Sequence, residues 1–311
     1  MKFKPLIQQP ILNHQAITEC IQQGHHWNGI GFSSPLREFR HGKFGELTSQ
    51  QQGGGIDFSE TRAYQAGDEP RHINWRATAR TGRPQVRVFH KDLSPSCYFL
   101  IDRRASMRFG TRTRLKVTQA ARLAIFLASW EAKNGTELGS LILNKTPQWN
   151  PAMSGQQGIY QLAQFASSSC PPLDTDSAID MKHALALLTE QIPQGSYIYL
   201  LSDFYDLEEE MLPQLYKLGQ QHIVRAIGIY DSAEQHLPKA GHLHLLWNQQ
   251  DIFQHNPLID TRDASVQNKY RMVFEQKQLK IKHLCEKAEI SLTSVCSHAD
   301  SISSALQVAS L

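Results

Sequence analysis

Six short apolar runs, most of them separated by segments of helical period, constrain this chain more than any other feature. They are CYFLID (97–102), ELGSLIL (137–143), SYIYLLSDF (196–204), HIVRAIGIY (222–230), HLHLLW (242–247) and ISLTSV (290–295). CYFLID, apolar and ending in Asp, suits a strand buried on both sides, as in a parallel sheet. Between and after the runs, the spacing predicts helices at about 114–133, 156–167, 177–191, 207–220, 264–288 and 299–309. The first of these carries AARLAIFLASW, which is apolar nearly all round and must be buried against a sheet. Asn134-Gly135 supplies its stop. Strands alternating with helices of this length mean βαβ units, and hence an α/β fold with a doubly wound, Rossmann-like sheet.

The residues before 95 follow another grammar. One amphipathic helix is expected at 11–23. QQQGGGID then punctuates the chain, and IDFSETRAY and PQVRVF (84–89) alternate as strands do. Ile73 and Trp75, flanking Asn74, are expected to point inward. The 311 residues therefore divide into a β-rich appendage at 1–94 and an α/β domain at 95–311. A hydrophobic fraction of 41% is enough for a packed core and excludes a disordered chain.

The net charge of +3 does not by itself imply a nucleic-acid partner. The five Cys include no C-x-x-C pair, so free thiols in a reducing compartment are expected. No leader-like segment or apolar run of membrane-spanning length is legible, and a cytoplasmic location follows as the expectation. G-x-S-x-G, H-E-x-x-H and P-loop motifs are absent from the sequence, which argues against the common hydrolases.

Ligands of open α/β sheets bind beyond the carboxyl ends of the strands. Two strands end there in aspartate, Asp102 and Asp203, and paired carboxylates suit a hard cation. Ser106 lies four residues past Asp102, and the segment LDTDS (173–177) adds Asp174, Thr175, Asp176 and Ser177.

Asp102-x-x-x-Ser106, Thr175 and Asp203 resemble the metal-ion-dependent adhesion site of von Willebrand factor A domains. In those domains a D-x-S-x-S loop, a Thr and an Asp hold Mg²⁺, and a partner's acidic group completes its shell. A longer signature is RAYQAGDEPRHINWRATARTGRPQVRVFHKD (62–92), followed by LIDRRASMRFG, LLSDF (200–204) and IYDSAEQHLPKAG (229–241). Over about residues 35–300 the chain resembles the bacterial domain-of-unknown-function family 58, which has von Willebrand factor A-like domains. That resemblance implies a non-catalytic adaptor working with a MoxR-type AAA+ ATPase in the assembly or activation of other proteins.

The chain departs from the adhesion-site pattern at Arg104, which stands where the first Ser ligand belongs. A guanidinium cannot ligate a cation and repels one. Two placements are open. Arg104 points away and water fills the vacancy, or its head group lies between Asp102 and Asp203 and replaces the metal. The expected site is therefore a degenerate one made of Asp102, Ser106, Thr175 and Asp203, with no cofactor or only weak Mg²⁺. Arg103, Arg104, Arg108 and Asp206 are the expected partner-binding residues.

Two rival readings remain. One is a Mg²⁺- or Mn²⁺-dependent phosphoester hydrolase using Asp102 and Asp203. The other is nucleic-acid binding by residues 62–116, where thirteen Lys and Arg face four acids.

Overall fold

The computed structural model describes residues 10–29, 52–65, 73–90, 96–133, 135–170, 180–244 and 258–308. The chain divides into two compact units, residues 1–35 with 95–311, and residues 36–94.

In the smaller unit β1 (Gln52–Ala63) pairs antiparallel with β2 (Gln85–His90). The glycines at 53–55 lie where the register slips, Gln52 and Asp57 both facing His90. Between the strands sits a short helix, counted α2 after the N-terminal α1 described below (Trp75–Thr81). The Asn74 side chain caps it by accepting from the Ala77 N–H, and Gly82 ends it in the left-handed region at φ +71°. This corrects the inward placement of Trp75. Residues 74–75 start a helix instead of continuing a strand, and the indole is 70% exposed.

The larger unit is built on a six-stranded sheet in the order β10–β7–β6–β3–β4–β5. Its strands are β3 (Ser96–Asp102), β4 (Glu137–Leu143), β5 (Gln148–Met153), β6 (Tyr197–Ser202), β7 (Ile223–Tyr230) and β10 (Ser291–Cys296). All neighbours are parallel except β4 and β5. The expected doubly wound α/β sheet is thus present. The antiparallel β5 was not legible, because Pro147 and Pro151 read as loop; an edge strand tolerates a residue without an N–H. The described residues of the run at 242–247 do not enter this sheet. They form β8 (His242–His244), which pairs with β9 (Leu258–Asp260) in a separate ribbon.

Side-chain alternation sorts the core onto two faces. Leu100, Ile198, Leu200 and Val224 pack with Leu185, Leu215 and Leu284. These last come from α5 (Met181–Gln191), α6 (Leu212–Gln221) and α8 (Ala264–Lys287). On the other face Phe99 stacks on Tyr199 at 5.1 Å, and the Tyr199 hydroxyl donates to Glu131 on α3 (Lys116–Ala132) at 2.6 Å.

Helix α3 is apolar all round because it is covered twice. Beneath it is the sheet, and above it lies α1 (His14–His26). Trp27 packs on Phe126 and Trp130, and the Ser129 hydroxyl donates to the Ile21 carbonyl. The N-terminal helix therefore belongs to the larger unit and not to an appendage running from residue 1, which corrects that boundary. The helices touch at Gly24, where a Cβ would lie 2.1 Å from the Phe126 carbonyl oxygen. Gly24→Ala is expected to lower unfolding free energy by about 1–3 kcal/mol, read as a lower thermal midpoint. The remaining helices are α4 (Gly155–Ser167), the short α7 (Ser232–Gln235) and α9 (Ile302–Val308). Among the described residues no helix is long and apolar enough to cross a membrane.

Candidate functional site at the carboxyl end of the sheet

Strands β3 and β6 are hydrogen-bonded neighbours with Ile101 opposite Leu201, so Asp102 and Asp203 stand at adjacent strand ends. Asp102 is fully buried. Its Oδ1 accepts from the Arg104 backbone N–H at 2.9 Å and from Nε at 3.0 Å. Its Oδ2 accepts from the Arg104 Nη2 at 2.8 Å and from the Ser202 hydroxyl at 2.6 Å. The outer edge of the same guanidinium donates to both oxygens of Asp206, at 2.5 and 2.9 Å. One arginine fork is thus held between two carboxylates, each met in the bidentate manner that suits its planar geometry. Burial disfavours the Arg104 charge, but the bonds and field of Asp102 and Asp206 outweigh it and hold the guanidinium more firmly protonated than usual.

Arg104 thus turns inward onto Asp102, but the expected placement between Asp102 and Asp203 is corrected. Its other partner is Asp206, not Asp203. Asp203 belongs to a different cation, Lys116, whose Nζ donates to Asp203 at 2.8 Å and to Glu234 at 2.6 Å. Burial works against both charges, yet Lys116 keeps its pKa raised and Asp203 keeps its own lowered through this pairing. Ser106 beside it also favours the charged form of Asp203. Next in the chain, Phe204 is buried with φ +50°, an uncommon conformation for a bulky residue. Its N–H donates to Ser202 Oγ, the same hydroxyl that donates to Asp102.

Asp231 ties the next strand ends together. It accepts from the Thr111 N–H and hydroxyl, the Ala233 N–H and the Ser297 hydroxyl. Burial would raise its carboxyl, but the Ser297 and Thr111 bonds prevail and hold it at about 2. A carboxyl depressed on folding contributes stability above its unfolded value near 4, lost as pH falls through the folded value. Asp231→Asn is expected to cost about 2 kcal/mol at pH 6 and progressively less toward pH 2, measured by urea unfolding across that range.

Two expected partner-binding residues are not at the surface. Arg103 is 1% exposed and donates to the carbonyls of Phe165, Ser168 and Ser169 and to the Ser168 hydroxyl. Arg104 is 8% exposed and spent on its two aspartates. Arg108 is half-buried and bonds the Arg103 carbonyl and Asn144, while Asp206 is partly open to solvent. Thr175, with Asp174, Asp176 and Ser177, lies outside the described residues. Arg114 reaches the Ala299 carbonyl and Asp300, so much of the basic stretch within this unit is turned to internal bonds.

Sequence reasoning missed Lys116, Glu234, Asp231 and Lys277. The run Asp231-Ser-Ala-Glu234 was a legible capping box, and the structure forms it. Lys277 of α8 lies 3.7 Å over the Tyr205 ring, and burial, only partly offset by Asp203, lowers its pKa to about 8. Nothing in the local sequence marked either lysine.

A divalent cation does not fit this donor set as it stands. The oxygens it would use on Asp102 and Asp203 already accept charge-assisted bonds, and Arg104 and Lys116 would repel it. Among the described residues no group of three or more His, Cys, Asp or Glu side chains is arranged to hold a metal ion.

The family described as "Protein of unknown function DUF58" matches residues 60–280. The chain belongs to that family. This DUF58 chain is 29% identical over 190 residues to the uncharacterized protein Rv1480 of Mycobacterium tuberculosis, across 61% of its own length and 59% of the relative's. It thus spans about 59% of that curated relative's length. Among solved structures, the conserved hypothetical protein BatB from Bacteroides thetaiotaomicron is similar with a TM-score of 0.44 and 15% identity. That match covers 69% of the DUF58 chain and 96% of the other. The SpRpn10 VWA domain is similar with a TM-score of 0.38 and 11% identity, over 69% and 94% of the two chains.

Proposed function

We propose that this DUF58 chain is a non-catalytic, cytoplasmic adaptor that docks a partner protein at the carboxyl end of its sheet. In this reading Arg104 and Lys116 take the place of a divalent ion, and docking needs no metal. The partner class suggested by the family resemblance is a MoxR-type AAA+ ATPase, through which the chain would act on a further client protein.

The observation that carries the reading is the Arg104 fork between Asp102 and Asp206. It engages Asp102 from within, as Lys116 engages Asp203, so both strand-end carboxylates among the described residues are held by built-in cations, which supports a binding role over a catalytic one. Around it the loops are cross-braced by Asp231, which favours a surface that loses little freedom on binding. Phe109 and Leu115, 43% and 39% exposed, stand on one of those loops and supply apolar anchors.

The test is binding of the purified chain to the MoxR-type ATPase of its own host, with EDTA and with Mg²⁺. Equal affinity in both is expected, and a strict Mg²⁺ requirement would remove the metal-free part of the reading. Metal-dependent turnover in a phosphoesterase and nuclease screen, lost in Asp102→Asn, would replace the adaptor with the hydrolase.

A further inference from the structure

A groove away from the aspartates runs along the outer strand β10. It has a volume of about 950 Å³ and is lined in part by Leu279, Lys282 and Glu286 of α8, Ser294 and Cys296 of β10, and Ser304 of α9. Cys296 is the last residue of β10, level with Tyr230 of β7. Its Sγ lies 3.1 Å from Nδ1 of His298; both side chains are half-buried, and Cys296 lines the groove with His298 beside it.

The other thiols differ. Cys20, Cys97 and Cys285 are buried, and burial raises the pKa of each. Such thiols are inert. Cys170 is half-exposed, but no imidazole lies within hydrogen-bond reach of it among the described residues. Cys296 alone among these combines access, a groove and an adjacent base. A nucleophile within hydrogen-bond reach of a base is the arrangement that activates a thiol.

We propose that Cys296 is a modification site that, with His298 as its base, forms a mixed disulfide with a small zwitterionic peptide disulfide seated in this groove. The groove suits that ligand class. Lys282 and Glu286, 3.9 Å apart, offer one charge of each sign to its carboxylate and ammonium groups. Serine hydroxyls are at hand for its amides, and the exposed Leu279 flanks an apolar stem.

The step balances without another oxidant. His298 accepts the thiol proton, and the Cys296 thiolate attacks one sulfur of the incoming disulfide. The protein–ligand S–S bond forms as the ligand's own S–S bond breaks. The departing thiolate takes the proton from the imidazolium and leaves as a free thiol. The protein cysteine is oxidised to the mixed disulfide, and one half of the ligand is reduced. This site is independent of the docking reading.

The experiment uses the full chain and glutathione disulfide at neutral pH, with peptide-resolved mass spectrometry over time. Cys296 is expected to gain one glutathionyl group about ten times faster than Cys170, reversibly with dithiothreitol. His298→Ala is expected to bring Cys296 down to the Cys170 rate, and added imidazole to restore it. His298→Gln, which keeps a polar side chain, provides the same comparison should the alanine variant be unfolded. The proposal is overturned if Cys296 reacts no faster than Cys170, if neither His298 variant slows it, or if imidazole restores nothing.

Discussion

Arg104→Met is expected to lower the unfolding free energy by about 3–5 kcal/mol at neutral pH. The loss comes less from the missing attraction than from what is left behind. Asp102 is fully buried, and without the guanidinium its charge keeps only the Ser202 hydroxyl and one backbone N–H. For a domain of this size that corresponds to a thermal midpoint lower by roughly 10 °C. The double variant Arg104→Met with Asp102→Asn is expected to recover more than half of the loss, because removing both partners removes the stranded charge. Arg104→Lys should fall between, since an ammonium keeps the charge but cannot fork onto two carboxylates. Full stability in the single methionine variant would mean that the fork holds nothing together.

Lys116→Met carries the second large effect, about 2–4 kcal/mol, with a characteristic pH dependence. The wild-type Asp203 carboxyl is depressed on folding, so its contribution is present above the unfolded value near 4 and is lost as pH falls. Without Lys116, burial dominates and raises the folded carboxyl above its unfolded value. The sign then reverses, and the variant loses stability as pH rises through that raised value. Urea unfolding of both proteins between pH 3 and 8 should show their difference widening toward neutral pH and closing toward pH 3. A constant offset across that range would mean that Lys116 acts by packing alone.

The parts of the fold readable from sequence were those where burial leaves one solution. The runs at 97–102, 137–143 and 222–230 became β3, β4 and β7 to within a residue at each end, because a parallel strand covered on both faces admits little but apolar side chains. The same logic located Asp102 and Asp203, since a carboxylate after such a run can only sit at the strand's mouth. What escaped was set by tertiary contact. A lysine at the start of a helix reads as solvated, and only the return of Asp203 and Glu234 from far along the chain makes Lys116 a buried cation. Arg103 reads as surface charge until the carbonyls at 165, 168 and 169 turn toward it. Asp206 was singled out as a partner-facing acid, and nothing local said that Arg104 would claim it. The N-terminal helix was legible as a helix but not as the cover of α3, a contact made by Gly24 and Trp27 across about a hundred residues.

Thermal unfolding of wild type and Arg104→Ser, with EDTA and with millimolar Mg²⁺, decides whether a guanidinium stands in for a divalent ion. The serine is the residue that the resemblance to adhesion sites implies at this position. Wild type is expected to melt at the same temperature in both conditions, and the variant to melt lower in EDTA and regain part of the loss with Mg²⁺. A wild-type midpoint that rises with Mg²⁺, or an Arg104→Ser variant as stable as wild type in EDTA, would contradict that role.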